Sequence, residues 1–262
     1  MKLKKRHGTS KIMKRPARAL TFLALMLGSL ALACSMPDLP AIPFIQSEEP
    51  QPVELLPTPV GDTLAFLVPA YAINLDPGET VPGTRLTYVG RSGSDYEVLI
   101  DGQTAFKRTG DSFFWSGVVA PGVFGNYNLR LTASLFGGLP VAGPVEVILF
   151  NPEPLELPGD TEPEARLHFG NLVIDYRVPA GVSVPGTTLV FAGVETQGIG
   201  EQSKQLARFT GLQGYPNLAV GDSLVWMGRL RDNAIVRYNL RLLSFDENSI
   251  HLVGTGDLWI LN

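Results

Sequence analysis

The chain repeats itself. Leu64, Phe66, Gly78, Val81, Pro82, Gly83, Thr84, Leu86 and Gly90 recur at a constant offset of 103 as Leu167, Phe169, Gly181, Val184, Pro185, Gly186, Thr187, Leu189 and Gly193. After one change of length the offset becomes 111. Gly110-Asp111-Ser112 and Trp115 then match Gly221-Asp222-Ser223 and Trp226, and Tyr127-Asn128-Leu129-Arg130-Leu131 returns letter for letter as Tyr238-Asn239-Leu240-Arg241-Leu242. No gap is needed from there to the chain end, so each copy is a unit of about ninety residues. Two copies are too few, and each too long, for a solenoid.

Within a copy the signals are those of strands. Arg85 to Val89, Glu97 to Ile100, Ser112 to Val119, Tyr127 to Ala133 and Val145 to Phe150 are short runs rich in β-branched and aromatic residues, separated by Gly, Pro, Asn or Asp. Pro77-Gly78 and Pro82-Gly83 fit type II turns, with proline presetting φ and glycine supplying the positive φ of the next position. Helix-period stretches are absent. The pattern predicts an all-β chain of two tandem homologous domains, 63–150 and 164–262, joined by the linker 151–163. Each domain is expected to be a small antiparallel β-sandwich or barrel, and sequence does not choose between them.

Ahead of the repeats lie two segments of different character. Eight basic residues and no acid precede Ala19, and Ala19 to Ala33 is uncharged and rich in Leu and Ala. Fifteen residues suit the apolar core of a secretory signal and fall short of the roughly 20 that span a bilayer. Cys34, the sole cysteine, follows directly. The run Leu30-Ala31-Leu32-Ala33-Cys34 resembles a bacterial lipoprotein signal with its lipobox, although Ala31 replaces the commoner larger aliphatic residue. The resemblance implies that residues 1–33 are a signal peptide and that Cys34 becomes the acylated first residue of an exported protein. The anchor would then sit on the outer face of the cell membrane or in the outer membrane; an uncleaved N-terminal anchor is the alternative. Residues 34–62 are expected to be the lipidated cysteine and a tether, since Ser35 to Val60 contains seven prolines and no basic residue.

From Cys34 onward the chain carries 13 Lys+Arg against 25 Asp+Glu, a net charge of −12. Such a surface repels phosphate backbones and argues against nucleic acid. With no cysteine besides the anchor, disulfides, thiol nucleophiles and thiolate metal sites are excluded. No HExxH, phosphate-loop or GxSxG pattern occurs. His168 and His251 align with Ala65 and Pro140, outside the shared framework. No cofactor and no metal site is expected, and the chain reads as a non-enzyme. Paired carboxylates drawn from acids such as Asp101, Asp222 and Glu247 leave a hydrolase as a minor alternative.

The repeated polar and aromatic residues Asp111, Trp115, Tyr127, Arg130, Asp222, Trp226, Tyr238 and Arg241 are read as framework. The aspartates are expected to bond their own turns, the arginines to pair with them across strands, and the tryptophans to anchor cores. The segment Val194 to Val220 is eight residues longer than its counterpart Arg91 to Thr109. It is the better place for a ligand surface, with Gln197, Gln202, Lys204, Arg208 and Tyr215 as candidate binding residues. The expected activity is binding or scaffolding at the cell envelope, with an envelope protein or an extracellular polysaccharide as partner and the membrane engaged through the lipid anchor.

Overall fold

The computed structural model describes residues 62–134, 137–159, 163–198 and 203–261, all within one compact unit, Pro57–Asn262. The leader, Cys34 and the Pro-rich tether lie outside the described residues. Among those described every regular element is a strand. In the first half these are β1 (Thr63–Leu75), β2 (Leu86–Ser92), β3 (Asp95–Ile100), β4 (Gln103–Lys107), β5 (Ser112–Ala120), β6 (Val123–Leu131) and β7 (Leu139–Phe150). A short β8 (Leu155–Glu156) follows. The second half supplies β9 (Leu167–Pro179), β10 (Val190–Gln197), β11 (Lys204–Thr210), β12 (Asn217–Leu218), β13 (Ser223–Arg231), β14 (Ala234–Phe245) and β15 (Ser249–Ile260).

All the pairings are antiparallel. One curled sheet runs β5-β6-β7-β1-β9-β15-β14-β13-β8, and two three-stranded sheets, β2-β3-β4 and β10-β11-β12, complete the halves. Period-two alternation explains the strands. In β6, Val123, Gly125, Tyr127, Leu129 and Leu131 are buried while Asn128 and Arg130 are exposed. The turns form as their residues demand. Thr84 N donates to Val81 O at 3.0 Å with Gly83 at φ +78°, and Thr187 N donates to Val184 O at 3.0 Å with Gly186 at φ +70°. In both turns the threonine hydroxyl also donates to the same carbonyl.

The halves are not separated. β1 and β9 lie side by side at the centre of the sheet, with Leu67 opposite Val173. Because β1 and β9 occupy equivalent places in the two copies and run antiparallel, the junction has the form of a two-fold dimer interface. Each half also reaches into the other's interior. Phe169 packs 6.4 Å from the ring of Tyr127 in the first half, and Phe66 packs 6.2 Å from Tyr238 in the second. Gly83 approaches Leu167, and Gly186 approaches Leu64. A single buried cluster runs through both halves.

The expected linker is part of the sheet as well. Leu155 and Glu156 pair with Arg229 and Gly228 of β13, Leu157 N donates to Met227 O at 2.9 Å, and Arg237 donates to Gly159 O at 2.9 Å. Two residues of the expected linker thus lie at the edge of the sheet that both copies share. An edge strand offers unpaired backbone groups, and the connection between the copies satisfies some of them.

Two substitutions test this account. Phe169→Ala should lower stability by about 3–5 kcal/mol and perturb Trp115 fluorescence in the other half, with one cooperative denaturant transition for the whole chain. Gly254→Ala places a Cβ 2.1 Å from Asn239 O. It should cost at least about 1–3 kcal/mol in the same melt.

Candidate functional site

The inward residues of the repeated framework are structural. Trp115 and Trp226 are buried, at 5% and 2% exposure, and their indole N–H groups donate to Asp101 Oδ1 at 3.1 Å and Thr188 Oγ1 at 3.2 Å. Each ring lies over a glycine two residues on, Gly117 or Gly228, where any Cβ would collide with it. Tyr127 and Tyr238 stand beside these rings at 5.9 and 6.1 Å and donate their hydroxyls to the turn carbonyls Pro82 O and Pro185 O, at 3.1 and 3.2 Å. Burial pushes both phenols far above their ordinary range, and raises Tyr71 and Tyr176 beside them.

The aspartates do what the sequence predicts, and the arginines do not. Asp111 Oδ2 accepts from Arg108 N and Asp222 Oδ2 from Ala219 N, both at 2.8 Å, closing the turn that enters β5 or β13. Neither forms an ion pair with the repeated arginine among the described residues. Arg130 lies exposed and donates only to Gly110 O at 3.3 Å, and the exposed Arg241 makes no side-chain bond there. Strand alternation turns both arginines outward while the carboxylates turn back into their own loops. Ordered ion pairing in the first half instead joins Arg108 to Asp95 at 2.9 Å, and that hydrogen bond holds the Asp95 carboxyl below its ordinary range.

The long segment of the second half is mostly strand. Gln197 ends β10 opposite Lys204 at the start of β11, and Arg208 lies on the same face of β11 with buried Leu206 between. Gln197 Nε2 donates to the Tyr215 hydroxyl at 2.7 Å, and Tyr215 is 58% exposed. Four of the five candidates thus share one region of the small sheet, while Gln202 lies outside the described residues. The opposite face, with Ala207 and Phe209, joins the core.

Sequence reasoning missed two His–Asp pairs, toward opposite ends of the outer face of β9 and β15. His168 Nε2 lies 3.2 Å from Asp257 Oδ1 and stacks on Trp259 at 5.0 Å, and His251 Nε2 lies 2.7 Å from Asp175 Oδ1. These pairs join strands that are distant in sequence, so no local spacing announces them. Among the described residues no three His, Cys, Asp or Glu side chains converge to hold a metal. Of the acids considered for hydrolysis, Asp101 accepts from Trp115 and Asp222 closes its turn.

Grooves open among the described residues. One, about 530 Å³, is lined by Pro121, Asn151, Glu153 and the β13–β14 turn, where Arg231 donates to the carbonyls of Phe150 and Asn151. A second, about 380 Å³, shares Pro121 and Asn233 with it and is also lined by Arg166, whose guanidinium donates to Val119 O. A third, about 320 Å³, lies on the outer sheet face over Ser223, Val225, Asn239, Arg241, Val253 and Thr255.

No family model matches this chain, and no curated protein or solved structure does. The chemistry of this surface is that of donors and acceptors spread over sheet faces beside exposed apolar side chains.

The buried phenols make one pH-dependence testable. Their folded values lie above the unfolded value near 10, so the stability from keeping them neutral is complete below that pH and falls as pH rises through and above it. Absorbance at 295 nm should show Tyr127 and Tyr238 ionising only together with alkaline unfolding.

Proposed function

We propose that this chain is a bacterial lipoprotein, acylated at Cys34, whose two halves are copies of one small β-sandwich or barrel unit held outside the cytoplasm by a Pro-rich tether, and that it acts by binding. The address is supported by the basic leader, the short uncharged stretch and the lone cysteine that ends it. The binding role is supported chiefly by the open outer face of the large sheet, where Leu67, Phe114, Val173 and Val225 are about half exposed beside polar neighbours. Two or more acyl chains hold a protein stably at a membrane, so the anchor needs no basic patch.

Partners at the envelope, protein or polysaccharide, fit such a surface. Stacking of sugars on Trp115 and Trp226 is not part of this reading, because both rings are core. Tyr215, among the candidate binding residues, is an exposed ring. Catalysis by paired carboxylates is not part of it either, since Asp101 and Asp222 are committed to separate structural bonds.

The test is metabolic labelling with a fatty-acid analogue in a bacterial host. The wild-type chain should be labelled and recovered with membranes, and Cys34→Ser should be unlabelled. An unacylated wild-type chain with its leader intact in the cytoplasm overturns the reading.

A further inference from the structure

The two copies have diverged most on their outward side, and the exceptions form one patch. Across the outward positions of β5–β7 and β13–β15, Phe114 stands against Val225, Ser116 against Met227, Asn126 against Arg237, Ala142 against Val253 and Ile148 against Trp259. Three outward positions are identical: Ser112 and Ser223, Asn128 and Asn239, Arg130 and Arg241. They are neighbours in space. Ser112 is directly opposite Arg130 and Ser223 opposite Arg241, while each asparagine is two residues from its arginine on the same face.

The fold does not account for this identity. Inward identities such as Tyr127, Leu129 and Leu131 keep a shared core, but the six outward side chains make a single side-chain bond among the described residues, that of Arg130 to Gly110 O, and Arg241 does not repeat it. All six are exposed. An exposed position free of contacts tolerates most substitutions within about 0.5 kcal/mol, so stability alone exerts little hold on it.

We propose that the patch is a binding site used twice, once in each half, and that its ligand is a neutral polysaccharide. The inference rests on the reading of this chain as a binding protein and is independent of its acylation. The donor and acceptor set suits sugar hydroxyls, since asparagine and serine both donate and accept, and the arginine fork supplies further donors. Phe114 and Val225, 51% and 55% exposed, lie directly opposite the asparagines and offer an apolar floor for the C–H face of a ring. In the second half this floor and these groups line the groove of about 320 Å³. A polyanion is disfavoured by Asp111 and Asp222, each adjacent in the chain to a patch serine, and by the acidity of the whole mature chain. Two equivalent sites on one continuous sheet suit a polymer of repeating units, because the second contact gains from the first.

The test uses the full-length protein in detergent on a printed array of neutral glucan, mannan, galactan and xylan, with polygalacturonate as the anionic control. At least one neutral polymer should be bound. Asn128→Ala/Arg130→Ala or Asn239→Ala/Arg241→Ala should each weaken binding about tenfold, and the combined variant should fall to background. Near-ultraviolet circular dichroism of the variants should be unchanged. Arg130→Lys/Arg241→Lys keeps the charge and removes the fork, and should weaken binding several-fold even if the alanine variants are lost to misfolding. Binding to polygalacturonate alone, to no polymer, or equally by wild type and all variants overturns the proposal. Cys34→Ser should bind the array as the wild type does, so a failed anchor and a failed sugar site give different results.

Discussion

The antiparallel contact of β1 with β9 is the constraint on which the rest of the molecule depends. It makes one sheet of two repeats and places Phe66 and Phe169 where each fills the neighbouring half's interior. A unit of about ninety residues buries a modest share of its surface on its own, and large side chains shared across the junction enlarge what is removed from water. The arrangement resembles a symmetric dimer made continuous by a connection, and that connection docks on β13.

Around the junction, each half uses the same local device to fix its aromatic centre. A Val-Pro-Gly-Thr turn presents a proline carbonyl to a buried tyrosine hydroxyl, and a tryptophan lies flat because glycine two residues later leaves room for its ring. The carbonyl matters because a buried phenol without a partner costs about 1–3 kcal/mol. With the inward side held so tightly, the outward side is free to change, and the three outward identities stand out against that freedom.

Much of this was legible in the chain. The repeat offsets, the type II turns and five strands of the first copy follow from composition, glycine and proline placement and two-residue alternation. Strand β1 was not, because Pro69 interrupts it, and the structure accommodates that residue at a register shift between Val68 and Tyr71. The segment 194–220 reads as a polar loop because Gln, Glu, Lys and Arg are scattered among its glycines, yet it pairs as part of β10–β12, where only one face needs to be apolar. The pairing of Arg130 with Asp111 fails for a similar reason, since closeness in the sequence of a hairpin does not set which way a carboxylate turns.

By itself the sequence determined that the chain is built of strands and that its two halves share residues at constant offsets, because these are properties of neighbouring residues and of one half compared with the other. Only the tertiary structure decided that the copies share one sheet and one core, and that Asn128 and Arg130 with their twins face water, with the bond of Arg130 to Gly110 O as their single side-chain hydrogen bond among the described residues. Contacts between strands about a hundred residues apart leave no local pattern, and whether an identical residue is buried or free is known only when its neighbours are in place.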